Sequence, residues 1–440
     1  MRIYRPLPLR RGLVTGVVAA ATSLTSWLGV VAPEAHADIV SRSSFALTRG
    51  VRLTKIRYST PNEVRILAIQ PQRRPDLDVV MAGDAFAMYR LTSTMAAAND
   101  AVAGVNGDFM TRHGTPSHAT MIDGELWSSG SVAGQAFAIS SSGKTAYAGK
   151  PVLKLRARRF GHDDIPLTEW NVGNPKRDQV RAYTIRGGSA VNPPGSLHPT
   201  ETDPKYCAVR LAPTAPMGWS GPRKAAITRN YTVVAQPEPC TRERLSIGGT
   251  GNVVLATRLA ASRADWIKRL DKDMTVKLAW GFSRWFGVTD VVGGSPLLVD
   301  NRRNVAPDYD GGPQGILWYN PRTAVGVNAG CGDRDGATIC KVWVVTVDGR
   351  QGSTGWSKGM LLPGLAKLFL DLGAEYAVGL DGGGSTTMWV KQKHDAYCES
   401  SPNVGGCLAN RPSPSTGERI TINSLTVLPS ADGDTPTRLR

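Results

Sequence analysis

Apolar residues in this chain come in short alternating or β-branched runs rather than in long helical stripes. Val64–Ile69, Ala136–Ser140, Val253–Ala256, Thr275–Ala279, Val342–Val347 and Thr386–Val390 each carry the pattern of a strand. Two segments carry helical spacing instead. Ser262 with Asp265 makes a capping-box pattern ahead of Trp266, Ile267 and Leu270, which predicts one short helix. Leu361, Leu365, Leu368 and Leu372 fall at i, i+4, i+7 and i+11, with Pro363 suited to a first turn and Gly373 to a stop. A second helix is therefore predicted over about 360–372, its leucine stripe serving core packing.

The order of elements around that helix places candidate chemistry. Strand Val342–Val347 leads into Asp348-Gly349-Arg350-Gln351, then the helix, then strand Tyr376–Leu380 and Asp381-Gly382-Gly383-Gly384-Ser385. This reads as a βαβ unit. A right-handed crossover would set its two strands parallel in one sheet and bring both loops out at one edge, where Asp348, Arg350 and Asp381 converge. Elsewhere the pattern weakens. About 151–249 holds Pro193-Pro194 and several Gly-Pro turns, which predicts a loop-rich insertion around the first cysteine pair, and 430–440 forms a polar tail.

The N-terminus decides the compartment. Arg2, Arg5, Arg10 and Arg11 precede an apolar stretch from Leu13 to Val31, and Ala35-His36-Ala37 supplies the small residues of a cleavage site. Residues 1–37 are expected to be a signal peptide cleaved near Ala37, leaving a secreted, extracellular protein with no stable membrane span. Composition agrees with a folded product: 440 residues, 41% hydrophobic and 20% charged, exclude a disordered chain. The 48 Gly and 29 Pro break the apolar runs throughout and favour one large strand-rich domain, with 38–99 its N-terminal strand-rich part. The formal charge is +16; loss of 1–37 removes four basic residues and one acid and leaves +13. Such a field attracts anionic polymers, including those of a cell envelope, without specifying nucleic acid.

Six cysteines, at 207, 240, 331, 340, 398 and 407, form an even set with no CxxC spacing, so disulfides rather than a zinc site are expected. Pairing in sequence order asks least of the chain. His113 and His118 are five apart in a polar loop without Cys or HExxH and read as surface residues. Asp333 and Asp335 offer too few oxygens for a calcium site. No metal or other cofactor is expected. Two carboxylates can act as acid, base or nucleophile, a guanidinium can fork onto a phosphate, and three glycines let backbone N–H groups approach an anion.

With these residues stand Asn106-Gly107-Asp108-Phe109, Val292-Gly293-Gly294-Ser295-Pro296-Leu297-Leu298 and Pro321-Arg322-Thr323-Ala324-Val325-Gly326. The ordered set, over roughly 100–425, resembles the phosphodiester glycosidases, relatives of the enzyme that uncovers mannose 6-phosphate by removing a covering N-acetylglucosamine. The resemblance implies an α+β fold with a twisted mixed β-sheet and few helices, and a hydrolase that breaks the sugar C1–O bond of a glycosyl-1-phosphodiester. It assigns 100–429 to that domain. It points to Asp348, Asp381 and Asp108 as catalytic, and to Arg322, Arg350, Asn106, Gly107, Gly382, Gly383, Gly384 and Ser385 as substrate- or phosphate-binding. Met110 stands where the family commonly has Phe, and the segment around Cys207–Cys240 lies outside its common pattern. The implied partner is a carbohydrate phosphodiester, with an envelope glycopolymer as one form of it. A non-catalytic module for anionic glycopolymers and a hydrolase of neutral glycosides are the competing classes.

Overall fold

The computed structural model describes residues 38–71, 75–132, 134–159, 164–191, 205–214, 218–219, 226–235, 240–258, 261–308, 317–328, 331 and 340–429. The signal-peptide segment, the polar tail, Pro193-Pro194, Asp333 and Asp335 lie outside the described residues.

The central element is an eight-stranded sheet. Its spatial order is Ile39–Thr48, Val51–Tyr58, Asn62–Ile69, Val342–Val347, Arg322–Val327, Tyr376–Gly379, Leu297–Asp300 and Arg303–Asn304. All neighbours in it are antiparallel. Period-2 alternation gives the inner strands two apolar faces, whereas Ile39–Thr48 and Arg303–Asn304 are largely exposed. Leu67, Ile69, Val325, Val344 and Val378 turn one way into a core shared with further sheets. Val64, Ile66, Ala324, Val345 and Ala377 turn the other way, onto a helix.

That helix, Leu362–Leu372, has Pro363 in its first turn and Gly373 as a left-handed C-cap. It covers the sheet with Leu362, Leu365, Ala366, Leu368 and Phe369. It does join Val342–Val347 to Tyr376–Gly379, but the simple βαβ unit is not formed. Arg322–Val327 is inserted between the two strands and pairs antiparallel with both, Ala324 lying opposite Val345 on one side and Gly379 on the other. The periodicity that marks a strand leaves its neighbour unspecified. The insertion has a direct consequence: the start of an antiparallel strand lies at the edge where its neighbours end, so Arg322 emerges between the loops that begin at Asp348 and Asp381.

Two five-stranded sheets close the same core. One carries Ala103–Asn106 between Met388–Val390 and Asn423–Leu428; the other carries Val288–Gly294 between Gln135–Ser140 and Thr120–Ile122. The second is apolar on both faces: Phe137 and Ile139 join the central core, whereas Ala136 and Ala138 join another.

That other core fills a closed barrel where a loop-rich insertion was expected. Seven strands form it, in the order Tyr206–Pro213, Val253–Arg258, Val180–Tyr183, Asp164–Trp170, Leu153–Arg159, Thr275–Phe282 and Ile227–Ala235, the last pairing back onto the first. Leu155, Leu167, Val209, Tyr231, Leu255 and Leu278 pack inside. Closure removes the exposed sheet edges, which explains how short, weakly patterned strands persist. The short helix predicted from Ser262 and Asp265 is Ala261–Lys268, attached to this barrel. The cysteines pair in sequence order: Cys207–Cys240, Cys331–Cys340 and Cys398–Cys407. Three disulfides fit an oxidising, extracellular environment. No helix among the described residues is long and apolar enough to cross a membrane.

Candidate active site

Where Val342–Val347 and Tyr376–Gly379 end and Arg322–Val327 begins, a cleft of about 990 Å³ opens. Its walls include Phe109, Trp318, Tyr319, Asn320, Arg322, Arg350, Lys358, Asp381, Gly382, Gly383, Gly384 and Arg419. Four of these are cations and one is a carboxylate.

Arg322 is buried, and its guanidinium donates to two backbone carbonyls, Met360 O at 2.9 Å and Trp318 O at 2.6 Å. Arg350 donates from Nε and Nη2 to Asn320 Oδ1 at 3.0 and 2.9 Å. Neither meets a carboxylate among the described residues. Burial, with the nearby charge of Arg350, lowers the pKa of Arg322 to about 10, so it stays cationic near neutrality. Two guanidiniums held together without a counter-charge repel one another, and an anion between them removes that cost. The backbone of Arg350 is left-handed, φ 61°, a conformation that costs energy outside glycine.

The glycine loop completes this cradle. Gly383 has φ +59°, and a Cβ there would come within 3.1 Å of Arg350 Nη2. Glycine is thus required both by the backbone and by the close arginine. Asp381 sits at the start of the loop and is tied to strand Ala103–Asn106: its N–H donates to Gly107 O at 3.0 Å, and Asn106 Nδ2 donates to its carbonyl at 2.6 Å. Asn106 Oδ1 also accepts from Thr323 Oγ1 at 2.8 Å and from the Thr387 N–H at 3.1 Å. One fully buried amide therefore joins three segments. Burial pushes the Asp381 carboxyl up to about 6; the Ser385 hydroxyl and Gly382 N–H oppose the rise, Asp108 adds to it and Arg419 opposes it. Arg419 is presented by a segment anchored through Glu418, whose carboxylate accepts from the Ser93 hydroxyl and, at 3.1 Å, from the Ser93 N–H.

Asp348 takes a different place. It is buried and does not line the cleft. Its carboxylate accepts from Trp356 Nε1 at 2.9 Å, Asn410 Nδ2 at 2.9 Å and the Arg411 N–H at 3.1 and 3.0 Å. Burial raises its pKa, against the charge of Arg65 and these donors. The side chain fixes the loop carrying Arg350 and Lys358 against the segment 410–411. Gly355-Trp356-Ser357-Lys358-Gly359 spells Gly-x-Ser-x-Gly, yet Ser357 is fully buried and its hydroxyl donates to Asp348 O at 2.6 Å. It lies in no strand-to-helix elbow, so it is no nucleophile.

Asp108 lies behind the cleft, fully engaged with a residue that the sequence reading set aside. His118 is buried rather than on the surface; its N–H donates to Asp108 Oδ2 at 2.8 Å and its Nδ1 lies 2.6 Å from Oδ1. Asn423 Oδ1 accepts from the Asp108 N–H at 2.8 Å and would lie 2.2 Å from a Cβ on Gly107, which accounts for glycine there. Among the described residues no three His, Cys, Asp or Glu side chains gather as metal ligands.

Residues 224–428 match the phosphodiester glycosidase family. This is the family read from the ordered motifs. The matched stretch carries Arg322, Arg350, Lys358, Asp381 and Arg419, the charged side chains of the cleft wall among the described residues. No curated protein matches the chain. Among solved structures, a hypothetical protein from Synechocystis is 19% identical over 88% of this chain and 63% of its own, with a TM-score of 0.61. A Burkholderia pseudomallei protein thought to be exported is 19% identical over 89% of this chain and 97% of its own, with a TM-score of 0.58. These likenesses establish a shared fold. The catalytic domain of zebrafish N-acetylglucosamine-1-phosphodiester alpha-N-acetylglucosaminidase, auto-inhibited by its pro-peptide, is 14% identical over 88% of each chain, with a TM-score of 0.39. The present chain spans 63% of the length of the Synechocystis protein.

Of the residues that the phosphodiester glycosidase resemblance singled out, Arg322, Arg350, Asp381, Gly382, Gly383 and Gly384 meet in the cleft. Asn106, Gly107 and Ser385 support it from beneath, and Asp108 and Asp348 stand outside its wall. Lys358, Arg419, Trp318, Tyr319 and Asn320 were not anticipated. Trp318, Tyr319 and Asn320 directly precede the Pro321–Gly326 motif, a signal that proximity could have raised; Lys358 and Arg419 adjoin none of the recognised motifs.

Proposed function

We propose that this protein hydrolyses glycosyl-1-phosphodiesters in the cleft, splitting the sugar C1–O bond so that water supplies the new hydroxyl at C1 and the phosphate leaves as a monoester. The observation that supports this most is the union of two arginines that meet no carboxylate among the described residues with a glycine loop and one carboxylate of raised pKa. A phosphate monoester is a good leaving group, so demand on a general acid is small and the main needs are charge neutralisation and a placed nucleophile. Arg322 and Arg350 hold the phosphate and neutralise charge as the bond breaks. Asp381, ionised above about pH 6, takes a proton from water or attacks C1 itself, and steadies the oxocarbenium-like centre in either case. Asp348 is a positioning residue for the Arg350 loop.

The export reading belongs with this proposal: residues 1–37 are removed and the enzyme acts outside the cell. Intact mass and N-terminal sequencing of protein from an exporting host should give a chain starting near Asp38.

The deciding experiment is hydrolysis of synthetic sugar 1-phosphodiesters in water enriched in oxygen-18. A phosphate product free of label marks C1–O cleavage, and the anomer formed first, read by NMR, tells water attack from a covalent intermediate. Label in the phosphate product would mark P–O cleavage and overturn the reading. Binding without turnover would make the protein a glycopolymer module, and equal turnover of neutral glycosides an ordinary glycosidase.

A further inference from the structure

We infer that the cleft continues into a second anion subsite at Trp356 and Arg411, so that the substrate is a chain carrying successive phosphates rather than an isolated phosphodiester. This rests on the hydrolase reading of the cleft. The segment from Arg350 to Lys358 closes on itself: the Arg350 N–H donates to Lys358 O at 3.3 Å and the Gln351 N–H to Ser357 O at 2.9 Å. Its two stems, Arg350 and Lys358, line the cleft, and the loop also carries Trp356. The indole is fixed by its N–H bond to Asp348.

Three cations gather on that indole, Arg411 at 5.6 Å from the ring centroid, Lys55 at 5.8 Å and Arg57 at 6.0 Å. Two of them are paired, Lys55 with Glu399 at 2.9 Å and Arg57 with Glu63 at 3.2 Å, both carboxylates being shared with Arg65. Arg411 is exposed and meets no carboxylate among the described residues with its guanidinium. Its backbone is nonetheless fixed: the N–H donates to both Asp348 oxygens, and its carbonyl accepts from Gln351 Nε2 at 3.2 Å. An arginine on a rigid base, beside an aromatic face and without a counter-ion, is prepared for a phosphate.

Charge in the cleft points the same way. Among the described residues of the cleft wall, Arg322, Arg350, Lys358 and Arg419 face one carboxylate, Asp381. One phosphodiester brings a single negative charge and leaves most of this field unanswered, whereas a chain with repeated phosphates answers it in the cleft and again at Arg411. Asp348 couples the two places, since one carboxylate orients both the loop of Arg350 and the backbone of Arg411.

The test measures binding, with turnover removed by Asp381→Asn. Calorimetry would compare a synthetic chain of three N-acetylglucosamine 1-phosphate units with a single N-acetylglucosamine phosphodiester, with and without Arg411→Ala. The chain should bind about tenfold tighter than the single diester and show the steeper salt dependence. Arg411→Ala should remove most of that preference and alter single-diester binding by less than about twofold, and Arg411→Lys should restore part of it. The fold should survive, because the backbone and not the side chain of Arg411 holds Asp348. Equal binding of the two ligands, no binding of the chain, or an equal loss on both in Arg411→Ala overturns the subsite. Turnover of the single diester by the wild-type enzyme reports separately on the hydrolase reading.

Discussion

Asp108 grips His118 at two points, its Oδ2 accepting the backbone N–H at 2.8 Å and its Oδ1 lying 2.6 Å from Nδ1. The pair stands behind the cleft, and the charge of Asp108 helps to raise the pKa of Asp381. Asp108→Asn keeps the shape and removes that charge. The acidic limb of the kcat/KM profile should therefore move to lower pH. A limb that stays in place while activity falls would make the pair a purely structural one.

Asp381→Asn should abolish turnover, with a loss of at least about a hundredfold, and remove the limb near pH 6 from whatever activity remains. Stability should change in the opposite sense. The folded pKa is about 6 against an ordinary 3.8, so the native state binds the extra proton and this side chain favours folding at low pH. That contribution is lost as pH rises through 6. Melting compared between wild type and variant from pH 4 to 7 should show the variant gaining relative stability across that window, by up to about 3 kcal/mol. A constant gap would place the carboxylate in a solvated, unperturbed setting.

Asp348→Asn should behave unlike Asp381→Asn. Its carboxylate receives side-chain donors from Trp356 and Asn410 and the Arg411 N–H, so loss of charge weakens three links between loops. A stability loss of about 1–3 kcal/mol is expected in denaturant unfolding, with the pH limb near 6 retained in the folded fraction. Full stability with activity abolished would return Asp348 to the chemistry.

Arg350→Ala should cost a phosphodiester substrate about 2–3 kcal/mol in kcat/KM and a matched neutral aryl glycoside far less. The motive is that, among the described residues, the Arg350 guanidinium donates to an amide oxygen and to no carboxylate, and that it adjoins Gly383. Arg322 is the less clean probe, because it also donates to the carbonyls of Met360 and Trp318 and its loss would loosen that segment. Equal losses on both substrates would assign Arg350 to the sugar subsite or to the fold.

Local order was legible in the sequence by itself, because it depends on near neighbours. Val342–Val347 and the leucine-striped helix follow from side-chain period, the two nine-residue disulfide loops from short separations, and the likeness to a family, matched over 224–428, from motifs kept in order. Partnerships between distant segments needed the tertiary structure. Period says that a strand has two apolar faces; it does not say that Arg322–Val327 enters between its neighbours, or that Ile227–Ala235 closes on Tyr206–Pro213 to make a barrel. Burial has the same origin. His118 reads as a polar-loop residue and Asp348 as an active-site acid until long-range packing encloses the first against Asp108 and the second among Trp356, Asn410 and Arg411. The charge of the cleft is likewise assembled from separate stretches, with Arg419 arriving through the Glu418–Ser93 anchor, because side chains far apart along the chain share an electrostatic field only once the fold has brought them together.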